Sequence, residues 1–440
     1  MKNKNIRQIE VKLWDMPMGQ LAIDDDGIGY FRYHDEFILT GLNPAPIRMP
    51  VKKGISYSFP NLNPETFKGL PGMISDSLPD AFGDKLLDIY FKKQGVKQRA
   101  NIQLLKLCYV SHKAIGALEF VPSLQIDGQS QELKLDELSA IVDKLISSKK
   151  GITTGDLNQI QGVISIASSL GGAAPKGVLG INFETDSIKP GNIELPEGYE
   201  YWIIKFDAIK QSSELLMEQS LGFTNVEYVY SLMAKEAGIH MTDCKLIKDK
   251  ERQHFLTKRF DRIDGNKIHV QTLHAIAHMD SYDIWDIDLY FRTMTRLKLA
   301  YHDHEQMYRR VVFNALAGNT DTHTKNTSFM MDESGNWKLT PCYDIICSVS
   351  MKHKSTENHK TTINGKRKDF QYEDLIAVAE GNGIRKADKI ISEVVESLSN
   401  WSQLADQNNV RAEYKEHVQN IITNNLKNIV NHERYKKHKS

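Results

Sequence analysis

Apolar residues recur at nearly every second position in three stretches of the first third of the chain, IEVKLWD, GQLAIDDDGIGYFRY and ISYSF. Gly, Asn and Asp lie between these stretches, so the pattern predicts a small antiparallel sheet. From about Pro79 the spacing becomes helical, because Leu86, Leu87 and Tyr90 follow one another at helical intervals. A polar segment near 122–137 predicts a boundary, and DELSAIVDKLISS predicts a helix after it.

The middle of the chain predicts a glycine-rich loop, two strands, one amphipathic helix and a hairpin. The loop is SSLGGAAPKG, the second strand is YWIIKFDAI and the hairpin turn is IDGN. In the helix TNVEYVYSLMAKEAGIH, apolar residues repeat at intervals of three and four, and Gly238 provides a C-terminal cap. Beyond about residue 270 helical patterns dominate, and the last one runs from Val410 to Ile429. The pattern therefore predicts a β-rich middle and an α-rich end.

Composition limits the class of protein before any motif is weighed. The 440 residues are 40% hydrophobic and 25% charged, which is enough chain for two or three domains with their own cores. Lys plus Arg and Asp plus Glu both number 56, so there is no basic excess of the kind that marks autonomous nucleic-acid binding. The four cysteines lack CxxC spacing, and no apolar run reaches the length of a membrane span. We expect a cytoplasmic protein that contacts no membrane.

Two features of the middle region are typical of an anion site. Gly171 and Gly172 allow a tight turn that exposes backbone N–H groups, and Lys176 adds a positive charge, although the loop lacks the Walker pattern and also fits a simple turn. Lys205 lies within an apolar strand, where it either faces solvent on an edge strand or reaches a buried anion. Glu227 on the following helix is a possible counter-ion or an exposed helix residue.

The stretch GNTDTHTKN is unusually polar for a segment between the apolar runs VVFNALA and TSFMM. Asp321 precedes Asn326 by five positions, and Asp344 follows in KLTPCYDII. Phosphoryl transfer needs a carboxylate for the attacking hydroxyl and oxygen ligands for Mg²⁺, and protein kinases carry them in this order. His323 and Lys325 alternate with Asp321 and could face phosphate. The alternative is a hydrogen-bonded turn that caps the preceding helix.

Taken together, these motifs follow the chain order of a kinase fold. They resemble the HipA family of bacterial serine/threonine kinases, the toxins of HipA–HipB toxin–antitoxin pairs. The resemblance rests on DSLPDAFGDKLL, SSLGGAAPKG, IIKF, KRFDR, FNALAGNTDTHTKN and LTPCYDII. It implies an α+β, protein-kinase-like fold of two lobes. A small N-terminal subdomain would span 1–125, the β-rich N-lobe 126–268 and an all-α C-lobe 269–440.

The resemblance also implies roles for individual residues. Asp321 matches the catalytic base, and Asn326 and Asp344 match the Mg²⁺ ligands. The remaining matches concern ATP. His323 and Lys205 match residues near the phosphates, and Tyr343 matches a position in the nucleotide pocket. The glycine-rich loop that would meet the phosphates contains Ser168, Ser169, Gly171, Gly172 and Lys176.

The segment that faces adenine would include Lys258, Phe260 and Asp261. The family often has Glu where this chain has Lys258, so the resemblance implies a backbone contact there. In the family, a serine of the glycine-rich loop is autophosphorylated and the kinase is then inactive. That position matches Ser169, with Ser168 as the alternative. Phosphate would add negative charge to a loop that meets ATP phosphates, which makes inactivation physically sensible.

The resemblance implies an ATP- and Mg²⁺-dependent toxin that phosphorylates an aminoacyl-tRNA synthetase, such as the glutamyl enzyme, and arrests growth. Its partner would be a HipB-like helix-turn-helix antitoxin, through which it joins operator DNA. Two other classes stay open. A metal-dependent hydrolase could use Asp321, His323 and Asp344 with His302 and His304, and a catalytically silent kinase fold could bridge antitoxin and DNA.

Overall fold

The computed structural model of the chain describes residues 6–79, 81–96, 101–124, 132–147, 175–208, 221–351 and 354–439, together with Val163 and Ile166. The strands in chain order are β1 (Gln8–Leu13), β2 (Met16–Ile23), β3 (Gly29–Tyr33), β4 (Ser56–Tyr57), β5 (Leu118–Val121), β6 (Lys176–Asn182), β7 (Ser187–Pro190), β8 (Glu200–Lys205), β9 (Cys244–Asp249), β10 (Arg252–Lys258), β11 (Arg262–Ile263), β12 (Asn266–Lys267), β13 (His269–Thr272), β14 (Trp285–Asp286), β15 (Ser328–Met331), β16 (Trp337–Leu339) and β17 (Thr361–Thr362).

The helices in chain order are α1 (Asp35–Ile38), α2 (Pro64–Phe67), α3 (Gly72–Ser75), α4 (Ala81–Lys93), α5 (Ile102–Val110), α6 (Leu135–Ser147), α7 (Phe223–Glu236), α8 (Leu273–Ala277), α9 (Ile287–Arg296), α10 (Tyr301–Ala317), α11 (Tyr372–Gly381), α12 (Ala387–Ser399), α13 (Trp401–Gln407), α14 (Ala412–Val430) and α15 (Glu433–Lys439). Short 3₁₀ turns lie at Ser111–Lys113, Thr324–Asn326 and Lys354–Glu357.

The N-terminal sheet has the strand order β4-β3-β2-β1-β5. Its pairs are antiparallel, and alternate side chains such as Val11, Leu13, Leu21 and Phe31 are fully buried. The alternation arises because successive strand residues point to opposite faces of a sheet. The predicted small antiparallel unit is therefore confirmed.

The middle region contains the predicted strands, helix and hairpin. Strand β6 pairs with both β7 and β8 in antiparallel fashion. Helix α7 ends just before Gly238, whose φ of 74° is the left-handed conformation of a helix C-cap. The hairpin β11–β12 turns at Asp264 and Gly265, both with positive φ, as the IDGN signature predicts.

The chain divides into two compact units, each assembled from separate segments. The first unit contains residues 1–206, 258–280 and 328–337, and the second contains 207–257, 281–327 and 338–440. Because both units are discontinuous in sequence, the division at 125 and 268 stays a prediction. The region after 269 is mainly helical, as predicted, and short strands β13 to β17 interrupt it.

The second unit has a helical core. Helix α10 packs against α12 and α14, and α7 packs against α12 and α13. Trp401 and Tyr230 are fully buried in this core, and their rings meet edge to face at 5.7 Å. In the part of the chain that the structure describes, each helix is too short or too polar to cross a membrane.

Candidate active site

The polar loop, which we define as residues 319–326, begins where α10 ends. Gly318 has a φ of 72°, a left-handed conformation that L-residues with a Cβ rarely adopt. A Cβ at this position would lie 2.6 Å from Cγ2 of Ile421. Glycine therefore lets the chain turn out of the helix against α14, and the N–H of Asn319 donates to the carbonyl of Asn314 (3.1 Å).

Within the polar loop, the predicted base and one predicted metal ligand are held together. The Asn326 side-chain amide donates to the backbone carbonyl of Asp321 (2.8 Å), which leaves the amide oxygen of Asn326 as an acceptor. His323 lies beside the same aspartate, with Nε2 3.7 Å from Oδ2 of Asp321. The Asp321 side chain is 47% exposed, so its carboxylate is accessible to a substrate hydroxyl.

The second predicted metal ligand, Asp344, has a φ of 54°. Non-glycine residues in this region cost free energy and concentrate at functional sites. The preceding residues are anchored, because the N–H of Cys342 donates to the His240 carbonyl (2.8 Å) and the Tyr343 hydroxyl donates to the Lys325 carbonyl (2.8 Å). The second of these bonds ties the Asp344 segment directly to the polar loop.

Several of these residues line one cleft within the second unit, although His323 is not in its wall. The empty volume of the cleft is about 530 Å³, which includes space open to solvent. The predicted residues in its wall are Asp321, Asn326, Tyr343 and Asp344. The wall also contains Ile287, Tyr290, Met307, Arg310, Val311, Asn314, Asn319, Thr322, Thr327, Cys342, His359, Thr361 and Ile363.

Arg310 is a cleft residue that sequence reasoning missed. It is 5% exposed, its Nη2 donates to the Thr340 carbonyl (2.5 Å), and its Nε has no hydrogen-bond partner among the described residues. Burial lowers the pKa of its guanidinium. The signal in the sequence is an arginine immediately before the apolar run VVFNALA, although surface arginines occupy such positions equally well.

A segment that follows Asp344 in the chain is hydrogen-bonded to Thr320 and Thr322, the residues on either side of Asp321. The Thr320 hydroxyl donates to the Thr356 carbonyl (2.7 Å), and the Lys360 N–H donates to the Thr320 carbonyl (2.9 Å). The hydroxyls of Thr322 and Thr361 share a hydrogen bond of 2.8 Å. The segment 356–361 is thus bonded to the two residues that flank Asp321.

In the first unit, the register of β6 and β8 places Lys176 directly opposite Lys205. Lys176 is 7% exposed and Lys205 is half-buried. Side chains of directly opposed residues lie on the same face of a sheet, and like charges there repel each other. The structure therefore brings together two lysines that were predicted separately to bind phosphate.

The predicted adenine segment also lies in the first unit. Lys258 forms an ion pair with Glu200, and Phe260 is half-buried. Asp261 is 1% exposed and accepts hydrogen bonds from Arg259, Arg262 and the N–H of Gly116. Burial raises the pKa of Asp261, but the two guanidinium groups and the N–H outweigh it and hold that pKa well below its usual range. Both oxygens of the Asp261 side chain accept hydrogen bonds within the protein, so a contact with adenine would come from the backbone of Asp261.

Four predicted residues, Ser168, Ser169, Gly171 and Gly172, lie outside the described residues. Glu227 is 5% exposed on α7, so it is not the exposed helix residue of the alternative interpretation. His302 and His304 do not line the cleft described above. Among the described residues, no group of three His, Cys, Asp or Glu side chains is arranged to hold a metal ion.

The donor set of the cleft fits Mg²⁺. Mg²⁺ prefers oxygen ligands and uses one or two carboxylates together with substrate phosphates and water. Asn326 offers an amide oxygen and Asp344 a carboxylate, on two segments that the Tyr343 hydrogen bond holds together.

Comparison with known proteins shows which family the chain resembles. A family model described as HipA-like C-terminal domain matches residues 168–402, and one described as HipA N-terminal domain matches residues 9–121. A curated relative is Y4dM of Sinorhizobium fredii, whose name classes it as a candidate kinase. It is 22% identical over 358 residues, which cover 78% of this chain and 77% of Y4dM.

Two solved structures are similar to the chain. HipA of Shewanella oneidensis, solved with HipB and its operator DNA, matches with a TM-score of 0.64 and 16% identity over 98% of both chains. The Helicobacter pylori proinflammatory kinase CtkA matches with a TM-score of 0.41 and 14% identity, over 55% of this chain and 92% of CtkA. The Shewanella match shows the fold, so the predicted kinase-like α+β class is confirmed.

Proposed function

Because the chain belongs to the HipA family, we propose that it is a protein kinase that transfers the γ-phosphoryl group of ATP to a serine or threonine hydroxyl. The observation that carries this proposal is a cleft whose wall contains Asp321, Asn326 and Asp344. The spacing of these residues in the chain matches the kinase order of base, first metal ligand and second metal ligand.

Asp321 accepts the proton of the acceptor hydroxyl in this proposal. Its half-exposed carboxylate is accessible, and its backbone is fixed by Asn326 and by the hydrogen bonds of Thr320 and Thr322. A fixed base holds the acceptor oxygen in line with the phosphoryl group, which is the main protein contribution to such reactions. His323 orients the Asp321 carboxylate or binds a phosphate oxygen.

Asn326 and Asp344 would hold Mg²⁺ through their side-chain oxygens. The ion would supply neutralisation of the charge on the phosphate oxygens during transfer. Lys176 and Lys205 are the proposed phosphate-binding cations of the first unit, since their opposed positions in β6 and β8 favour an anion on that face. Lys258, Phe260 and Asp261 contact adenine, and Ser169 or Ser168 is the autophosphorylated residue.

We further propose that the kinase is the toxin of a toxin–antitoxin pair. Its partner is a HipB-like helix-turn-helix antitoxin, and it reaches operator DNA through that partner. The support is membership of the family and the likeness to a HipA that was solved with HipB and operator DNA. The proposed substrate is an aminoacyl-tRNA synthetase, whose phosphorylation arrests growth.

Phosphate transfer from γ-labelled ATP with Mg²⁺ tests the kinase function in the purified full chain. Asp321→Asn should lower the rate of transfer by about 10²- to 10⁴-fold, because it removes the proton acceptor. Asp283→Asn, the same change at an exposed aspartate, should leave the rate unchanged. If the wild-type chain transfers no phosphate to itself or to lysate proteins yet still binds the antitoxin, the silent bridging function replaces the kinase.

A further inference from the structure

Part of the wall of the cleft is uncharged and binds neither phosphate nor metal in the proposed chemistry. We call it the neutral wall, which consists of Ile287, Tyr290, Thr322, His359, Thr361 and Ile363. The charged groups of the cleft are Asp321, Asp344 and Arg310, and Arg310 is bonded to the Thr340 segment that leads to Asp344.

His359 is the most constrained member of the neutral wall. It is 3% exposed, and its ring meets Phe370 edge to face at 5.0 Å. Its N–H donates to the Arg367 carbonyl (2.8 Å), and its own carbonyl accepts from Nε of Arg367 (2.7 Å). Backbone and ring are therefore both held in place.

The imidazole nevertheless lacks a hydrogen bond that burial normally requires. Among the described residues, Nδ1 of His359 has no partner although it is inaccessible to water. A buried polar atom without a hydrogen bond destabilises the folded state, and such atoms in native structures often have a ligand or a functional role. Burial, with a smaller effect of the Arg367 charge, lowers the pKa of His359 to about 3, so the ring is neutral at pH 7.

The neutral wall lies beside the proposed base. Lys360 and Thr361, the two residues after His359, are bonded to Thr320 and Thr322, the two neighbours of Asp321. A polypeptide whose hydroxyl reaches Asp321 would lie against this wall.

We propose that the neutral wall is the acceptor subsite and that His359 is its specificity-determining residue, whose imidazole hydrogen-bonds the polypeptide next to the acceptor hydroxyl. This inference rests on the proposed kinase function. Because the wall carries no charge, acceptors with uncharged residues beside the serine or threonine are favoured. A charged neighbour would be desolvated against these six residues, none of which offers an opposite charge.

The test uses the full-length chain and three peptide pools with a central serine, flanked by uncharged, acidic or basic residues. His359→Leu, which preserves volume, should raise the KM of the uncharged pool by about three- to tenfold, the value of one hydrogen bond. Its kcat, its KM for ATP and its hydrolysis of ATP without peptide should stay at wild-type values. An Asn side chain places its amide near the position of Nδ1, and a Gln side chain places it near Nε2. If Nδ1 forms the bond, His359→Asn should restore the wild-type KM, and if Nε2 forms it, His359→Gln should do so.

Two controls accompany this series. His302→Leu makes the same change at an exposed histidine and should have no effect. His359→Phe keeps a ring against Phe370 and replaces the leucine variant if that variant melts early.

Fluorescence anisotropy of the labelled pools separates this inference from the kinase proposal, since binding needs no turnover. A wild type that binds the uncharged pool in a His359-dependent way but transfers no phosphate would refute the kinase function alone. An active enzyme whose KM and peptide affinity do not respond to His359→Leu would overturn the acceptor subsite. Equal preference for the charged pools would overturn it as well.

Discussion

At the scale of single residues, Asp261 illustrates how a polar side chain becomes part of a core. Its two oxygens receive hydrogen bonds from Arg259, Arg262 and the Gly116 N–H, and all of these groups are buried. Removing one charge from such a cluster leaves the others desolvated without compensation, which is far more costly than losing a surface ion pair.

We expect Asp261→Asn to lower the free energy of unfolding at neutral pH by about 3–5 kcal/mol. The folded pKa of Asp261 is depressed, so its contribution is present above the unfolded pKa of about 4 and is lost as the pH falls toward the folded value. The difference between wild type and variant should therefore shrink below about pH 4. Urea unfolding from pH 2 to 7 measures the free energy of unfolding of both proteins. The control Asp264→Asn, at an exposed aspartate, should have the same free energy of unfolding as the wild type at every pH. A difference independent of pH would contradict the assignment.

At the scale of elements, the cleft depends on how two segments are tied together. The Tyr343 hydroxyl joins the segment of Asp344 to the carbonyl of Lys325 in the polar loop. Apart from the short 3₁₀ turn Thr324–Asn326, these residues lie outside regular secondary structure, so side-chain hydrogen bonds supply geometry that a longer helix or a sheet would otherwise fix.

Tyr343→Phe should lower the free energy of unfolding by about 1 kcal/mol. Because the hydrogen bond that joins the segments of Asp344 and Asn326 is lost, phosphoryl transfer should also slow by about fivefold, the rate equivalent of 1 kcal/mol. Tyr308→Phe removes a buried hydroxyl that donates to the Leu375 carbonyl, away from the polar loop. The Tyr308→Phe variant should lose a similar amount of thermal stability, but its rate of phosphoryl transfer should equal that of the wild type. Parallel melting curves and labelled-ATP assays measure both, and equal rates in the two variants would refute the positioning role of Tyr343.

The elements that the sequence predicts well are those with local causes. Alternation of Val11 and Leu13 with polar residues, or the positive φ of Asp264 and Gly265 in a two-residue turn, follows from neighbouring positions alone. The polar loop was recognisable for the same reason, since Asp321 and Asn326 lie within one short stretch.

Residues whose role comes from distant contacts could not be predicted. Asp261 is bonded to Gly116, which lies 145 positions earlier in the chain, and nothing in KRFDR indicates that burial. His359 reaches the cleft because the residues after it are bonded to the neighbours of Asp321. A single histidine in STENHKTTING carries no periodic or motif signal that would show this.

At the scale of the whole molecule, positive and negative charges balance at 56 each. Binding to DNA draws most of its affinity from phosphate contacts by an excess of Lys and Arg. A chain with no net charge is therefore better suited to join DNA through a basic partner than to bind it alone.

We expect the purified chain alone to leave a labelled operator duplex unshifted at about 0.15 M salt. With its antitoxin it should retard the duplex further than the antitoxin does. Electrophoretic mobility shifts measure this, and Asp321→Asn, which lacks the proposed base, should behave as wild type. Tight binding by the chain alone, weakening steeply with salt, would show that a local basic surface outweighs the overall balance.

The bonds that hold the polar loop have an energetic consequence for substrate binding. Residues 319–326 are fixed by the turn at Gly318, by Asn326, and by contacts with Thr356, Lys360 and Thr361. The conformational entropy of ordering this loop is therefore lost when the chain folds, and not when a substrate arrives. More of the free energy of each substrate contact then remains as affinity, as in any site that is ordered before its ligand binds.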